Sequence, residues 1–304
     1  MKRPLSLVAY RLATSGLRPL SGPLLSWRLS RGKEDAARIG ERRGVPGRGR
    51  PAGLLVWLHG ASVGEALSLL PLIERLTRRG RNVLITTGTV TSASILANRL
   101  PPGAFHQFIP LDAPQFMRRF IAHWRPDIAL IAESELWPNF IVEAERAQTP
   151  IILVNGRLSE RSYRRWIWLS GFIGALLSRI DLCLAQSQGD GERFARLGAP
   201  EVRLVGNLKY DALPPPADRQ ELASLSGRLS GRQVWVAAST HEGEEAIVGE
   251  AHRILARTFP DVLTLLAPRH PKRGIGVAED LRRLGLKCAL RSSPIAWRPA
   301  ASGP

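Results

Sequence analysis

The chain has only two cysteines, Cys183 and Cys288, and each sits in an apolar, strand-like run rather than at the spacing of a disulfide framework or a metal site. That scarcity points to a reducing compartment, the cytoplasm. No segment reaches the ~20 consecutive apolar residues needed to cross a bilayer, which excludes a multi-pass membrane protein. Acidic residues are also scarce: 26 Asp and Glu stand against 43 Lys and Arg, a formal net charge of +17. Such an excess attracts a polyanion, whether nucleic acid, an anionic membrane or a phosphorylated substrate, and it also fits a plain solvated basic surface. Neither a Walker A nor a G-x-G-x-x-G sequence is present. No stacking aromatics interleave the basic residues and no nucleic-acid-binding signature appears, so no nucleic-acid partner is expected.

What the chain does have is 304 residues, 44% of them hydrophobic, enough for two domains or for one and a large part of another. The stretch 5–27 mixes apolar residues with Arg11 and Arg18, is interrupted by Pro19 and Pro23, and lacks a signal-peptide cleavage site. It reads either as an interfacial amphipathic anchor or as a terminal helix packed on the first domain. After a Gly/Arg/Pro-rich linker, continuously apolar strand patterns at 53–58, 82–86, 106–111, 127–132, 151–155 and 181–185 alternate with helical patterns at 65–78, 91–100, 113–124, 136–147 and 166–177. This alternation predicts an α/β fold with a parallel, doubly wound sheet. The proline run 213–217 marks a second linker. Beyond it strands at 233–238, 262–267 and 287–290 and helices at 242–259 and near 277–284 predict a second Rossmann-like domain, which is short. The divisions are therefore an N-terminal membrane-proximal segment (1–41), a linker (42–52), a first domain (53–211), a linker (212–220), a partial second domain (221–293) and a tail (294–304).

Chemistry in such a fold belongs at the carboxyl ends of the strands. The first strand runs into a small-residue turn followed by Glu65, which is either a first-turn carboxylate favoured by the helix dipole or a group aimed at a ligand. The fourth runs into Glu133-Ser134-Glu135, two carboxylates suited to acid–base work at a sugar carbon, with Ser134 or Glu135 expected to cap the next helix. Lys209 lies just before the proline run, where it meets an anionic substrate or merely solvent. In the second domain Ser239 and Thr240 sit between a strand and a helix, a ready anion site. Pro268 and Arg269 begin a basic cluster at the next strand end, with arginine's planar fork matched to phosphate. His59, His241 and His270 lie on three separate elements and read as hydrogen-bonding or structural residues, and no metal site is expected.

Seven segments occur in order: GASVGE (60–65), TTGTVTS (86–92), ESELWPN (133–139), NGRLSERS (155–162), GNLKYD (206–211), STHEGEE (239–245) and PRHPKR (268–273). Together they resemble the 3-deoxy-D-manno-octulosonic acid (Kdo) transferase family along most of the chain. The resemblance implies a GT-B fold, with an acceptor-side first domain and a nucleotide-sugar-binding second. It implies inverting transfer of Kdo from CMP-Kdo to a lipid A precursor, lipid IVA, in lipopolysaccharide core biosynthesis at the cytoplasmic face of the bacterial inner membrane. It assigns Glu65 as general base, Glu133 and Lys209 to transition-state stabilisation, and Pro268 and Arg269 to the CMP site, with no metal or other cofactor. An anionic inner-membrane surface is then a third partner, beside CMP-Kdo and the lipid A precursor. The family's glycine-rich loop and Asn-Pro-Leu-Glu segment are absent, and the resemblance stops near 293. The expectation is a C-terminally truncated second domain and little or no transfer by this chain. Two other readings stand beside it: a GT-B transferase using another nucleotide sugar, and a non-catalytic lipid-surface-binding fragment.

Overall fold

The computed structural model describes residues 4–211 and 217–291, in two compact units, 1–214 and 215–304. Helices α1 (Leu5–Ser15) and α2 (Leu17–Ser30) and a 3-10 helix (Ala36–Arg43) precede the sheet. Strand and helix then alternate through β1 (Leu55–His59), α3 (Val63–Ser68), α4 (Leu70–Arg78), β2 (Asn82–Thr87), α5 (Val90–Ala97), β3 (Ala104–Phe108), α6 (Pro114–Trp124), β4 (Ile128–Ala132) and α7 (Pro138–Arg146). The series continues through β5 (Ile151–Gly156), α8 (Glu160–Ile167), α9 (Ser170–Leu177), β6 (Leu182–Ala185), α10 (Gln188–Arg196) and β7 (Val202–Leu204), and ends in a 3-10 turn, Leu208–Asp211. All pairings are parallel, in the order β3-β2-β1-β4-β5-β6-β7.

The apolar runs become strands because both faces of the sheet are covered. Leu55, Trp57, Leu84, Ala129 and Ile131 enter one core, whereas Val56, Leu58, Val83, Ile85 and Leu130 enter the other. Period-two alternation thus survives in strands that look uniformly apolar. Trp57 stacks on Phe140 of α7, with ring centroids 4.0 Å apart.

The N-terminal segment belongs to this first unit, which corrects its separation at residue 41. Leu7 is fully buried in the core, and Arg11 bonds to Asn139 Oδ1 and pairs with Glu143. The stretch expected as a linker from 42 also starts with a buried residue. Arg42 pairs with Glu34 and donates to the carbonyls of Ile109 and Gly88, tying the 3-10 helix to the ends of β3 and β2. Burial of its guanidinium pulls its pKa down, against the pull of Glu34.

Other boundaries moved for identifiable reasons. The helix expected over 65–78 breaks at Leu69, because Pro71 has no N–H to continue the ladder and instead sits in the first turn of α4. That over 166–177 is two helices, α8 and α9, divided at Trp168 and Leu169. The short β7, α10 and, past the proline run, α11 (Arg219–Leu229) were not anticipated, and α11 begins inside the expected linker. In the second unit β8 (Val234–Thr240) pairs in parallel with β9 (Leu263–Pro268), flanked by α12 (Glu244–Thr258) and α13 (Gly274–Arg283). Residues 287–290, expected as a strand, form none: no strand among the described residues pairs with them. The proline run, apart from Ala217, and the tail from 294 lie outside the described residues.

A buried histidine, His59, and a half-buried one, His106, tie this fold to pH. His106 accepts from Arg38 at Nδ1 and meets Thr87 Oγ1 at 2.9 Å through Nε2; burial, with Arg38 and Arg42 nearby, lowers its pKa to about 3. His59 is brought to about 4 by burial, against its bond to Thr86. Both stay neutral in the native protein while the unfolded chain takes up protons near 6.5, so their contribution is complete above 6.5 and lost as pH falls toward 4 and 3. We predict that the urea midpoint declines from pH 7 to pH 4, and that His106→Gln, though less stable at pH 7, declines less steeply. Equal slopes would remove His106 from this role.

Candidate active site

The order of strands reverses direction between β1 and β4, so the loops after these two strands diverge and leave a crevice at the carboxyl edge of the sheet. Glu65, Glu133 and Lys209 all belong to this edge. After β1 the chain turns through Gly60, where a side chain would press within 3.1 Å of the Ala66 nitrogen and the Glu65 Cβ. A larger residue would require the start of α3 to shift by a few tenths of an ångström. Ser62 caps α3 by accepting the Glu65 N–H, and the Glu65 carboxylate reaches back to the Ala61 N–H (2.8 Å) and the Ser62 hydroxyl (2.7 Å). This is a variant of the capping box, so Glu65 serves the helix start in addition to whatever chemistry it performs.

After β4, Glu133 adopts a left-handed backbone with φ 55°, an uncommon state for a residue with a side chain. Its N–H bonds to Val154 O at 2.9 Å, and its carboxylate holds Lys209 Nζ at 2.8 Å. The lysine turn is fixed from two sides: the Asn155 side chain accepts the Leu208 N–H at 3.0 Å, and the Asn207 side chain accepts the Lys209 N–H at 2.9 Å. Asn155 is itself left-handed at φ 55°, and its Nδ2 is buried with no hydrogen-bonding partner among the described residues. Helix α3 packs against this turn, which brings Glu65's element to Lys209's.

Glu135 completes the cluster. Burial pushes its carboxyl above the ordinary range, the charges of Glu65 and Glu133 add to that, and the Trp137 indole N–H, 2.7 Å from Oε2, opposes it. The edge of the Trp137 ring meets His59, whose Nε2 is likewise buried without a partner among the described residues. Neither Ser134 nor Glu135 caps the following helix, contrary to expectation. Asp112 does so from after β3, accepting the Asn139 and Phe140 N–H groups at 3.1 Å each. Among the described residues, no three His, Cys, Asp or Glu side chains are grouped to hold a metal ion.

In the second unit Ser239, Thr240, Pro268 and Arg269 do meet at one strand edge: Thr240 pairs with Pro268 in register, and the Arg269 N–H bonds to Thr240 O at 2.9 Å. Their free valences differ from expectation. The Thr240 hydroxyl is taken by Glu245 at 3.0 Å, and Arg273 clamps the same carboxylate at 2.9 and 3.2 Å. The His241 N–H at the helix start is taken by Glu244. Ser239, left-handed at φ 64°, is exposed, and so is the Arg269 guanidinium, which has no hydrogen bond or ion pair among the described residues. The supporting residues Asn155, Glu245 and Arg273 are not singled out by the sequence, although a side-chain amide near the carboxyl end of a buried apolar strand was the available signal for Asn155.

The family whose description reads 3-deoxy-D-manno-octulosonic-acid transferase (kdotransferase) matches residues 37–212. A probable mitochondrial 3-deoxy-D-manno-octulosonic acid transferase of Arabidopsis thaliana is 37% identical over 93% of this chain and 65% of its own length. The Bordetella pertussis 3-deoxy-D-manno-octulosonic acid transferase is 36% identical over 93% and 69%, and that of Rickettsia felis 35% over 86% and 56%. The chain thus spans roughly three-fifths of the length of these relatives. Among solved structures, a Neisseria meningitidis UDP-GlcNAc 2-epimerase matches with TM-score 0.56 at 15% identity, covering 76% of this chain and 69% of that one. A Rickettsia africae glycosyltransferase matches with TM-score 0.54 at 13% identity, covering 78% and 67%. These likenesses establish the GT-B class of fold and nothing finer.

The left-handed backbone at Glu133 yields a prediction. A non-glycine residue there carries a cost of ~1–2 kcal/mol, partly offset by glycine's greater freedom in the unfolded chain. Glu133→Gly should therefore leave the urea midpoint unchanged or higher although it removes an ion pair, whereas Glu133→Val should lower it. A clear loss of stability in the glycine variant would show that the Lys209 pair outweighs the strain.

Proposed function

The chain belongs to the 3-deoxy-D-manno-octulosonic-acid (Kdo) transferase family, and from that membership we propose that it serves the inverting transfer of Kdo from CMP-Kdo to a lipid A precursor, lipid IVA, in lipopolysaccharide core biosynthesis. The observation that supports this reading is the packing of α3, which carries Glu65, against the turn whose Lys209 pairs with Glu133, near the strand-order reversal. Glu65 is the base. Its carboxylate is aimed by the Ala61 N–H and the Ser62 hydroxyl and takes the proton from the acceptor hydroxyl as that oxygen attacks the anomeric carbon. Lys209 and Glu133 stabilise the charges that develop on the way, held in place beforehand by Asn155 and Asn207. The leaving CMP phosphate is taken by Arg269, whose guanidinium is uncommitted among the described residues, beside Ser239, Thr240 and Pro268. The proposal includes no metal or other cofactor. The workplace is the cytoplasmic face of the inner membrane, where acceptor and anionic lipid meet a chain of net charge +17.

The test is label transfer from CMP-Kdo to lipid IVA, with UDP-sugars as competing donors, by the 304-residue chain and by a version extended with a relative's C-terminal part. Transfer from a UDP-sugar in preference to CMP-Kdo would overturn the assignment. In whichever version is active, Glu65→Gln keeps the cap, since an amide oxygen still accepts the Ala61 N–H, but removes the base. Its rate should fall ~10² to 10⁴-fold with donor affinity nearly intact. Wild-type turnover would strip Glu65 of the role. Arg269→Ala should instead weaken CMP-Kdo binding by about 1.5–3 kcal/mol, read by calorimetry; an unchanged dissociation constant means that the guanidinium never touches the phosphate.

A further inference from the structure

The first unit leaves apolar side chains bare on a set of adjoining elements. Helix α1 is apolar on two sides: Leu7 is sealed in the core, while Leu5, Val8 and Leu12, at i, i+3 and i+7, face outward, Leu5 87% and Leu12 70% exposed. Helix α2 repeats this, with Leu25 buried and Leu20, Leu24 and Trp27 exposed. Between α8 and α9 the chain turns through Ile167, Trp168 and Leu169, all exposed, and Trp168 is 90% so. Helix α1, which carries the first stripe, packs on α9, the helix that follows the tip. Tyr10 meets Phe172 edge-on with centroids 6.0 Å apart, and Phe172 stacks on Trp166.

The charge around these elements has one sign. No Asp or Glu occurs before Glu34, and none between Glu160 and Asp181, whereas the same segments carry Arg18, Arg31, Lys33, Arg161, Arg164 and Arg165, with Arg31 over the Trp27 ring. Glu160 is occupied by Arg164 and Arg193. Asp112 and Glu143 are consumed beneath α1, where they meet Tyr10 and Arg11. Bare apolar side chains on adjoining elements mark an interaction site, and exposed tryptophan in arginine-rich, acid-poor segments suits the headgroup layer of an anionic bilayer.

We propose that this unit docks on an anionic membrane at two adjoining points, the outer stripes of α1 and α2 and the tip formed by Ile167, Trp168 and Leu169, with Trp168 entering the headgroup layer. A terminal anchor alone leaves α1 and α2 free to swivel over the lipid. Two points on one rigid unit fix the orientation of the sheet edge that carries Glu65. The proposal deepens the membrane location in the reading above.

The experiment is co-sedimentation of the full 304-residue chain with phosphatidylglycerol/phosphatidylethanolamine vesicles and with phosphatidylcholine vesicles, over a range of salt. Wild type should partition to the anionic vesicles, less so at higher salt. The triple variant Ile167→Ser, Trp168→Ser, Leu169→Ser and the double variant Leu5→Ser, Leu12→Ser should each lower that partition roughly tenfold or more. Because these side chains are bare, both variants should melt at the wild-type temperature, which separates lost docking from lost folding. Wild-type partition of the tip variant would overturn the second point. Indifference of the wild type to lipid, together with a dimer that the tip variant dissolves, would overturn the whole and make the face a contact between copies. None of these readouts uses donor or acceptor, so failure here leaves the transfer assay standing, and failure of transfer leaves docking intact.

Discussion

The reversal of strand order between β1 and β4 is the constraint on which the rest of this structure depends. Parallel strands deliver all their following loops to one edge, and the reversal pulls two neighbouring loops apart to open a crevice there. What the chain places in the crevice is negative charge: Glu65, Glu133 and Glu135 within reach of one another's fields. Like charges are costly to gather, and each is answered separately, Glu65 by a backbone N–H and a hydroxyl, Glu133 by Lys209 and Glu135 by an indole N–H. The left-handed turns at Glu133 and Asn155 belong to the same arrangement, since strain of that kind persists only where the surrounding structure enforces it.

The N-terminal helices are joined to this edge through a buried polar network. Asp112 accepts the first N–H groups of α7 and the hydroxyl of Tyr10, and Asn139 and Glu143 on α7 hold Arg11. Burial raises the Asp112 carboxyl, and the four bonds it accepts oppose that rise. Helix α1 is thus fastened through its inner face to the helix that begins just after Glu135 and Trp137. Its outer face is left free. Of the two readings of this segment, the packed helix is what the structure shows, and the opposite side carries the exposed Leu5, Val8 and Leu12.

The second unit uses the same logic with opposite charge. Glu245 is buried, which by itself pushes its carboxyl up, but the two hydrogen bonds from Arg273 and the one from Thr240 hold it below the ordinary range. That clamp spends Thr240 and Arg273 on internal order and fixes the turn around Ser239. Arg269, anchored by its backbone, is left with its side chain exposed. An anion reaching this edge meets an arginine whose surroundings are already arranged.

The sequence by itself determined what depends on neighbours along the chain. Continuous apolar runs required strands covered on both faces, the Ser62-x-x-Glu65 spacing carried its own cap, and the ordered segments from 60 to 273 carried the family. Only the tertiary structure decided what depends on partners far away in sequence. The bond between Lys209 and Glu133 joins residues 76 positions apart, and Asp112 caps α7 in place of the nearby acids. Residues 287–290 have a strand's composition yet form no strand, because a strand exists only where another offers its backbone. Which side of α1 is buried was open for a related reason: its apolar residues fall on more than one side, and the elements that pack against it settle that Leu7 and Arg11 turn inward while Leu5, Val8 and Leu12 stay bare.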